Sequence, residues 1–339
     1  MQKEPDSEPS SESIDSRTEV RSEIQEDLII RQQRRRIFPR AALVGLGAGL
    51  VAALFRATLT AADSLRNNLI MWSQKYPHYG WIFPILFTNT GAVLSVMLVR
   101  RFAPEASGSG IPHIEGVMHR LRTLGWERVL PVKFIAGALA IGGGLALGRE
   151  GPTVQMGASV GAGISSWLKV APQERRTLIA AGGGAGLAAA FNAPLAGVIF
   201  VLEEIQRDFH PIVFGAAFLA AAVADIVVRL LSSGRPVFEI PDYPTPPLAS
   251  LIIFALLGIF AGVLGVAFNK GLLKTMDLFA RLRGYWVLGI TAVVGAIIGL
   301  ISWFSPIVVG ETDTHSQDWF WRENFLWQLS RSFLQYGFL

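Results

Sequence analysis

Four long stretches of the chain carry no charged side chain: residues 80–99, 177–202, 244–269 and 285–310. Each can cross a hydrocarbon core of about 30 Å as a helix, which needs roughly 20 residues. Further apolar runs occupy residues 41–63, 129–147 and 211–228. The pattern predicts an all-α, polytopic membrane protein and excludes an ordinary soluble enzyme.

Glycine and proline interrupt several of these runs. Asn192-Ala193-Pro194 divides residues 177–202 into two short helices, because proline removes a backbone donor and disfavours helix in the residue before it. The segment 102–128 predicts a short helix that enters the bilayer only part-way, since its apolar part is brief and contains polar side chains. Broken helices of this kind meet near mid-membrane in transporters.

Glycines also recur within the predicted helices, at Gly45/Gly49, Gly157/Gly161, 142–144 and 182–184. Small residues at such spacings allow helices to approach closely in lipid. The run from Gly45 to Gly49 is superficially similar to a dinucleotide-binding loop. Its sixth position is Leu50 and no strand precedes it, so helix packing is the favoured interpretation.

Composition narrows the chemistry further. The 339 residues are 51% hydrophobic and 17% charged, and they contain no cysteine. Disulfides, thiolate metal sites and iron–sulfur clusters are therefore excluded. The five histidines are scattered, so we predict no metal site and no cofactor.

Residues 1–37 are first acidic and then basic. Nine acidic side chains oppose three basic ones within residues 1–30, which predicts a largely disordered segment. A basic cluster then precedes the first apolar run, at Arg31, Arg34, Arg35, Arg36 and Arg40. No signal-peptide pattern precedes this cluster. Basic residues beside a membrane span usually stay on the cytoplasmic side, so the cluster favours a cytoplasmic N-terminus. The alternative is that the cluster binds nucleic acid.

Gly108-Ser109-Gly110-Ile111-Pro112 predicts a loop that opens a short helix. A helix N-terminus carries about half a positive elementary charge and several unpaired N–H groups. The Ser109 hydroxyl and the amides of Gly110 and Ile111 are therefore candidate anion ligands. The alternative is that Ser109 simply caps its own helix.

A second helix start is predicted at Gly148-Arg149-Glu150-Gly151-Pro152. The Glu150 carboxylate and the backbone amide of Gly151 lie at this start. The positive helix end attracts Glu150 as it attracts an anion. Protonation of Glu150, or its displacement by the anion, would then open the path, so Glu150 is a candidate gate. An acid at this depth is costly unless it serves transport or has a partner. The alternative is a capping glutamate paired with Arg149.

Two further acidic features remain. Glu203-Glu204 follows the apolar helix 195–202, where the pair could pass protons inward or simply mark the membrane interface. Asp225 lies within an apolar helix without a surrounding motif, and a buried structural hydrogen bond is its default interpretation.

Three motifs together resemble the CLC family of chloride channels and proton/chloride antiporters: Gly-Ser-Gly-Ile-Pro at 108–112, Gly-Arg-Glu-Gly-Pro-Thr-Val-Gln at 148–155, and Phe-Asn-Ala-Pro-Leu-Ala-Gly at 191–197 followed by Glu203-Glu204. The resemblance covers roughly 38–310. It implies a homodimer with one anion pathway per subunit, an anion site including Ser109 and the amides after it, and Glu150 as the external gate. It also implies proton transfer by Glu204 with Glu203 beside it, which favours the antiporter branch.

The resemblance also implies features that this sequence lacks. The family fold has two halves of opposite orientation, and the second half supplies a Gly-x-Phe-x-Pro loop and an anion-binding tyrosine. We expect the first half to be complete and the inverted second half to be largely missing. Residues 311–339 form a Trp/Phe-rich tail unlike the family. We therefore expect a C-terminally truncated member, with incomplete dimer contacts and a possible frameshift.

The leading prediction is proton-coupled chloride antiport across a membrane. The alternatives are a passive, voltage-gated-type chloride channel and a transport-inactive fragment. A membrane enzyme that uses Glu150 or Glu203/Glu204 lacks a second catalytic group at a sensible spacing, so no enzymatic activity is predicted. The expected partners are chloride, protons and the lipid bilayer, with no nucleic acid.

Overall fold

The computed structural model describes residues 11–76, 78–207, 209–232, 247–248, 250–282, 284–305 and 309. Within these residues all regular structure is helical: α1 Ser11–Ser73, α2 Ile82–Phe102, α3 Ile111–Met118, α4 Trp126–Gly142, α5 Glu150–Trp167, α6 Pro172–Phe191, α7 Pro194–Phe200, α8 Pro211–Leu231, α9 Ser250–Ala280 and α10 Tyr285–Phe304. A 3-10 turn covers Pro104–Ala106 and a π-helical turn covers Val201–Gln206. The all-α prediction is confirmed.

Five helical segments among the described residues are long and apolar enough to cross a bilayer: Gln32–Ser73, Ile82–Phe102, Pro211–Leu231, Ser250–Ala280 and Tyr285–Phe304. Each overlaps one of the apolar runs predicted from the sequence. The agreement follows from the bilayer itself, because the length of an apolar segment is a local property of the chain.

Two boundaries differ from the sequence-based expectation. Residues 11–37, expected to be largely disordered, form the beginning of α1. This stretch contains no glycine or proline and is rich in Glu, Gln and Arg, which have high helix propensity. Helix α4 ends at Gly142 instead of 147, because Gly144 adopts the left-handed conformation (φ +107°). Residues 1–10 and the tail 311–339 lie outside the described residues.

The predicted break at 192–194 is confirmed. Asn192 has a left-handed backbone (φ 52°) and its amide donates to the Ala188 carbonyl at the end of α6. Pro194 then begins α7, where its missing N–H costs nothing because the first helical amides lack intrahelical acceptors.

The described residues divide into two compact units. Unit 1 draws on the ranges Met1–Leu54, Gly108–Pro131 and Glu150–Gly234, and therefore holds α3, α5, α6, α7 and α8 with the first part of α1. Its core is dominated by alanine side chains of α1, α6 and α8. Unit 2 draws on Phe55–Ser107, Val132–Arg149 and Arg235–Leu339, and within it α2 packs against α10.

Glycine packing holds unit 1 together, as the sequence predicts. A Cβ at Gly157 would overlap the Gly182 carbonyl of α6, and one at Gly161 would overlap the Leu178 carbonyl. A Cβ at Gly49 would lie 2.9 Å from the Ala224 Cα of α8. Only glycine permits these backbones to approach so closely.

Candidate anion site

The first candidate motif forms a tight turn before α3. Gly108 and Gly110 both have left-handed backbones, with φ +68° and +91°. Gly110 occupies the N-cap position of α3, and no side chain caps this helix. The Ser109 side chain therefore does not cap α3. Its side chain is exposed within the chain.

The start of α3 presents backbone donors. The first hydrogen bond of the helix runs from the Ile114 amide to the Gly110 carbonyl at 3.1 Å. The Ile111 amide precedes it and has no acceptor within the helix, while Pro112 has no N–H at all. The helix end thus offers a partial positive charge beside the Ser109 hydroxyl.

The second motif lies directly against the first. Helix α5 begins at Glu150. A Cβ at Gly151 would lie 2.7 Å from the Ser109 carbonyl oxygen and 2.9 Å from the Ser109 Cβ. The first turn of α5 therefore contacts the backbone of Ser109, and the two helix starts meet within unit 1.

Glu150 is half-buried at this junction. Its carbonyl accepts a hydrogen bond from the Thr153 hydroxyl at 2.8 Å. Among the described residues, the Glu150 carboxylate forms no salt bridge with Arg149.

A buried hydrogen-bond chain joins the two helices behind their starts. The Gln155 side-chain amide donates to His113 Nδ1 at 3.2 Å, and His113 Nε2–H donates to the Thr123 carbonyl at 3.2 Å. Gln155 is fully buried and His113 is 5% exposed. Both ring nitrogens of His113 therefore have hydrogen-bond partners.

The same glutamine also explains Gly110. A Cβ at Gly110 would lie 2.5 Å from Gln155 Oε1, so the side chain of α5 packs directly on the turn before α3. Neither Gln155 nor His113 is predicted from the sequence to take part in the site. Both residues could have been noticed in the sequence because each is a polar residue within an apolar segment. Gln155 ends the second motif, and His113 lies in the predicted short helix.

Glu203 and Glu204 lie on the π-helical turn, and both are exposed within the chain. Ile205 beside them is buried, and its Cδ1 would be 2.9 Å from a Cβ at Gly183 of α6. The turn also packs against α3. The two acids are thus carried by an element that packs against α3. Among the described residues, no hydrogen bond or ion pair joins either acid to Ser109 or Glu150.

The break before α7 is stabilised from α8. Asp225 is 6% exposed, and its Oδ2 accepts from Arg229 Nε at 2.7 Å. An Arg229 terminal nitrogen donates to the Asn192 carbonyl at 3.1 Å. The default interpretation of Asp225 as a buried structural residue is therefore confirmed, with Arg229 as its partner. Among the described residues, no cluster of three or more His, Asp or Glu side chains could hold a metal ion.

Comparison with known families gives the decisive match. Residues 91–336 match the family described as voltage gated chloride channel. The chain belongs to this CLC family. The resemblance inferred from the motifs is confirmed, and the matched range continues into 311–336, which the motifs had left outside the resemblance.

Relatives of this CLC chain are named ion exchangers. It is 41% identical over 278 residues to the H(+)/Cl(-) exchange transporter ClcA of Vibrio campbellii, covering 80% of this chain and 59% of that protein. Against the transporter of the same name from Citrobacter koseri it is 38% identical over 277 residues, covering 80% and 58%. The chain thus spans less than two thirds of the length of these relatives.

Solved CLC structures share the fold. A slow cyanobacterial Cl-/H+ antiporter matches with a TM-score of 0.80 and 36% identity, covering 88% of this chain and 71% of that one. A eukaryotic CLC transporter matches with a TM-score of 0.66 and 25% identity, covering 79% and 49%. Together with the five long apolar helices, these matches identify an integral, multi-pass membrane protein.

Proposed function

We propose that this protein carries chloride across a membrane in exchange for protons. The observation that carries the proposal is the contact between Gly151 and Ser109, which brings two helix starts together within one unit. Two positive helix ends facing a common point attract a small anion more strongly than either end alone.

Chloride binds, in this proposal, to the Ser109 hydroxyl and to the backbone amides of Gly110, Ile111 and Gly151. A chloride ion has no directional bonding requirement, so converging N–H and O–H donors replace its water shell. The hydrogen-bond chain through Gln155 and His113 keeps the donors in place, because both side chains are buried and tie α3 to α5.

Glu150 acts as the gate. Its carboxylate is attracted to the same helix ends as chloride, so the ionised side chain and the anion compete for one place. Protonation cancels that attraction and opens the path. The half-buried position of Glu150 and the lack of a salt bridge among the described residues suit a side chain that moves between these two states.

Glu204, with Glu203 beside it, transfers protons between the opposite membrane face and the site. Support comes from the packing of their π-helical turn against α3, the helix that begins at the anion site. We further propose a cytoplasmic N-terminus, from the arginines that precede the first span, and a homodimer, from the family resemblance.

The test is simultaneous measurement of chloride efflux and proton uptake in proteoliposomes containing the full chain. We expect coupled movement in the unsubstituted protein. Glu150→Gln should retain chloride movement and lose proton coupling, because glutamine cannot take up a proton. Glu204→Gln should also lose coupling, since the internal acceptor is then missing.

Glu127→Gln is the matched control, because Glu127 also lies in the first turn of a helix but is exposed and outside the site. Its coupling should remain unchanged. Unaltered coupling in Glu150→Gln would contradict the gate. Chloride movement without protons in the unsubstituted protein would indicate a passive channel, and flux equal to that of empty liposomes would indicate a transport-inactive chain.

A further inference from the structure

A cleft opens in unit 2 between the end of α2 and the beginning of α10. Its volume is about 510 Å³. One part of its wall is apolar and includes Leu94, Met97 and Leu288, while Arg100 and Arg101 line the other part. None of the described residues that line it is acidic. The cleft therefore combines an apolar wall with a positively charged end.

The two guanidinium groups at the charged end are held in place by their own contacts. Arg100 donates one N–H to the Gly284 carbonyl at 3.1 Å. The Arg101 guanidinium lies over the Phe102 ring, 5.6 Å from its centroid. Each arginine has five N–H donors in a planar fork. Both side chains are exposed, so the remaining donors can bind an anion from outside the protein.

The charged end lies where a membrane surface is expected. Helix α2 has 21 residues, which at about 1.5 Å per residue matches the thickness of a hydrocarbon core. Arg100 and Arg101 occupy its last turn. Tyr285, at the first position of α10, is 91% exposed and belongs to the residue type enriched at membrane interfaces.

An apolar groove continues from the cleft along α2. It has a volume of about 730 Å³, shares Leu94 with the cleft, and is completed by side chains of α1 and α4 such as Leu65, Phe134 and Ile135. Both volumes fall within the range of about 300–1,000 Å³ typical of sites for small molecules. The two arginines therefore lie at one end of an apolar surface that runs along the membrane-crossing helix α2.

We propose that this cleft binds one anionic phospholipid. The lipid phosphate contacts Arg100 and Arg101, and an acyl chain lies against Leu94 and Met97. Arginine recognises phosphate oxygens through paired, charge-assisted hydrogen bonds, whereas a soluble anion would gain nothing from the apolar wall. These residues are not part of the anion site, so lipid binding does not depend on the proposed transport.

The test is native mass spectrometry of the full chain in non-ionic detergent, titrated with phosphatidylglycerol or with phosphatidylcholine. We expect one phosphatidylglycerol to bind about tenfold more tightly than phosphatidylcholine. The double variant Arg100→Gln/Arg101→Gln should lose this preference, because each arginine near a membrane surface contributes to attraction of anionic lipid. Equal binding of the two lipids to the unsubstituted protein would overturn the proposal.

Arg34→Gln/Arg35→Gln is the matched control, since it removes the same charge from two exposed arginines of α1. It should keep the preference; an equal loss in this control would show general charge attraction and refute a specific site. Met97→Trp fills the cleft without changing its charge and should also weaken binding about tenfold. Unchanged binding in Met97→Trp would overturn the site even if the arginine variant failed to fold.

Discussion

Helices α5 and α9 are built from similar residues but have opposite environments. Both are apolar and contain glycines at short spacings. A Cβ at Gly157 or Gly161 of α5 would overlap backbone carbonyls of α6. At Gly258, Gly262 and Gly265 of α9 a Cβ would meet nothing within 4 Å, and no residue of α9 is buried within the chain.

The contrast shows that glycine spacing permits close helix packing without causing it. The glycines of α5 face a second helix that also has glycines, so the backbones meet. This packing fixes the direction of α5, and its first turn carries Glu150 and Gly151. The candidate site therefore depends on tight packing, whereas the apolar length of α9 is by itself enough to cross a bilayer.

The largest effect on stability is expected when a side chain is added at the contact between α5 and α6. Gly157→Leu forces the two backbones apart and should cost about 3 kcal/mol or more. The thermal unfolding midpoint in detergent should fall sharply, or the protein should fail to fold. Gly262→Leu in α9 is the control and should leave the midpoint unchanged. Equal effects at the two positions would remove the distinction between the helices.

We expect a smaller loss of stability when the buried hydrogen-bond chain through Gln155 and His113 is broken. Gln155→Ala removes the donor to His113 and leaves space against Gly110, which should cost about 2 kcal/mol. Half-saturation of flux should also require more chloride, because the two helix starts lose a connection. Asn269→Ala removes an exposed amide of α9 and should change neither quantity. An unchanged chloride requirement in Gln155→Ala would limit Gln155 to a structural role.

The ion pair between Asp225 and Arg229 of α8 should contribute less to stability than the buried hydrogen-bond chain. Asp225→Ala removes the partner of Arg229, whose side chain is 51% exposed and remains hydrated, so we expect a loss of about 1 kcal/mol. Asp277→Ala removes an exposed carboxylate of α9 and should have no measurable effect on the unfolding midpoint. Equal midpoints for the two variants would show that the Asp225 pair does not stabilise the break before α7.

The smallest effect is expected from the ion pair between α1 and α6. Arg40 and Glu174 form a salt bridge with both side chains partly exposed. Arg40→Gln should therefore cost only about 0.2–1 kcal/mol, and high salt should reduce the difference. Lys270→Gln in α9 serves as the comparison. A loss above that range, insensitive to salt, would indicate a more buried interaction than the structure describes.

Sequence reasoning succeeded where the signal lies within one segment. The break at Asn192-Ala193-Pro194 and the helix starts near Ser109 and Glu150 follow from backbone chemistry of a few neighbouring residues. The contact between Gln155 and His113 was missed because these residues are 42 positions apart and neither type identifies its partner. The roles of Ser109, Glu150, Glu203 and Glu204 remain predictions to be tested by transport.

The amino-acid sequence alone determined that this protein crosses a membrane with broken helices and belongs to a chloride-transporting family. Hydrophobic length, proline and glycine act on their own part of the chain, so their consequences can be read without a structure. Only the tertiary structure decided that Gly151 lies on Ser109, that Gln155 packs on Gly110, and that α9 has no buried residue within the described part of the chain. A tertiary contact forms between two segments. The sequence of one segment determines its own surface, but it does not determine which other segment packs against that surface.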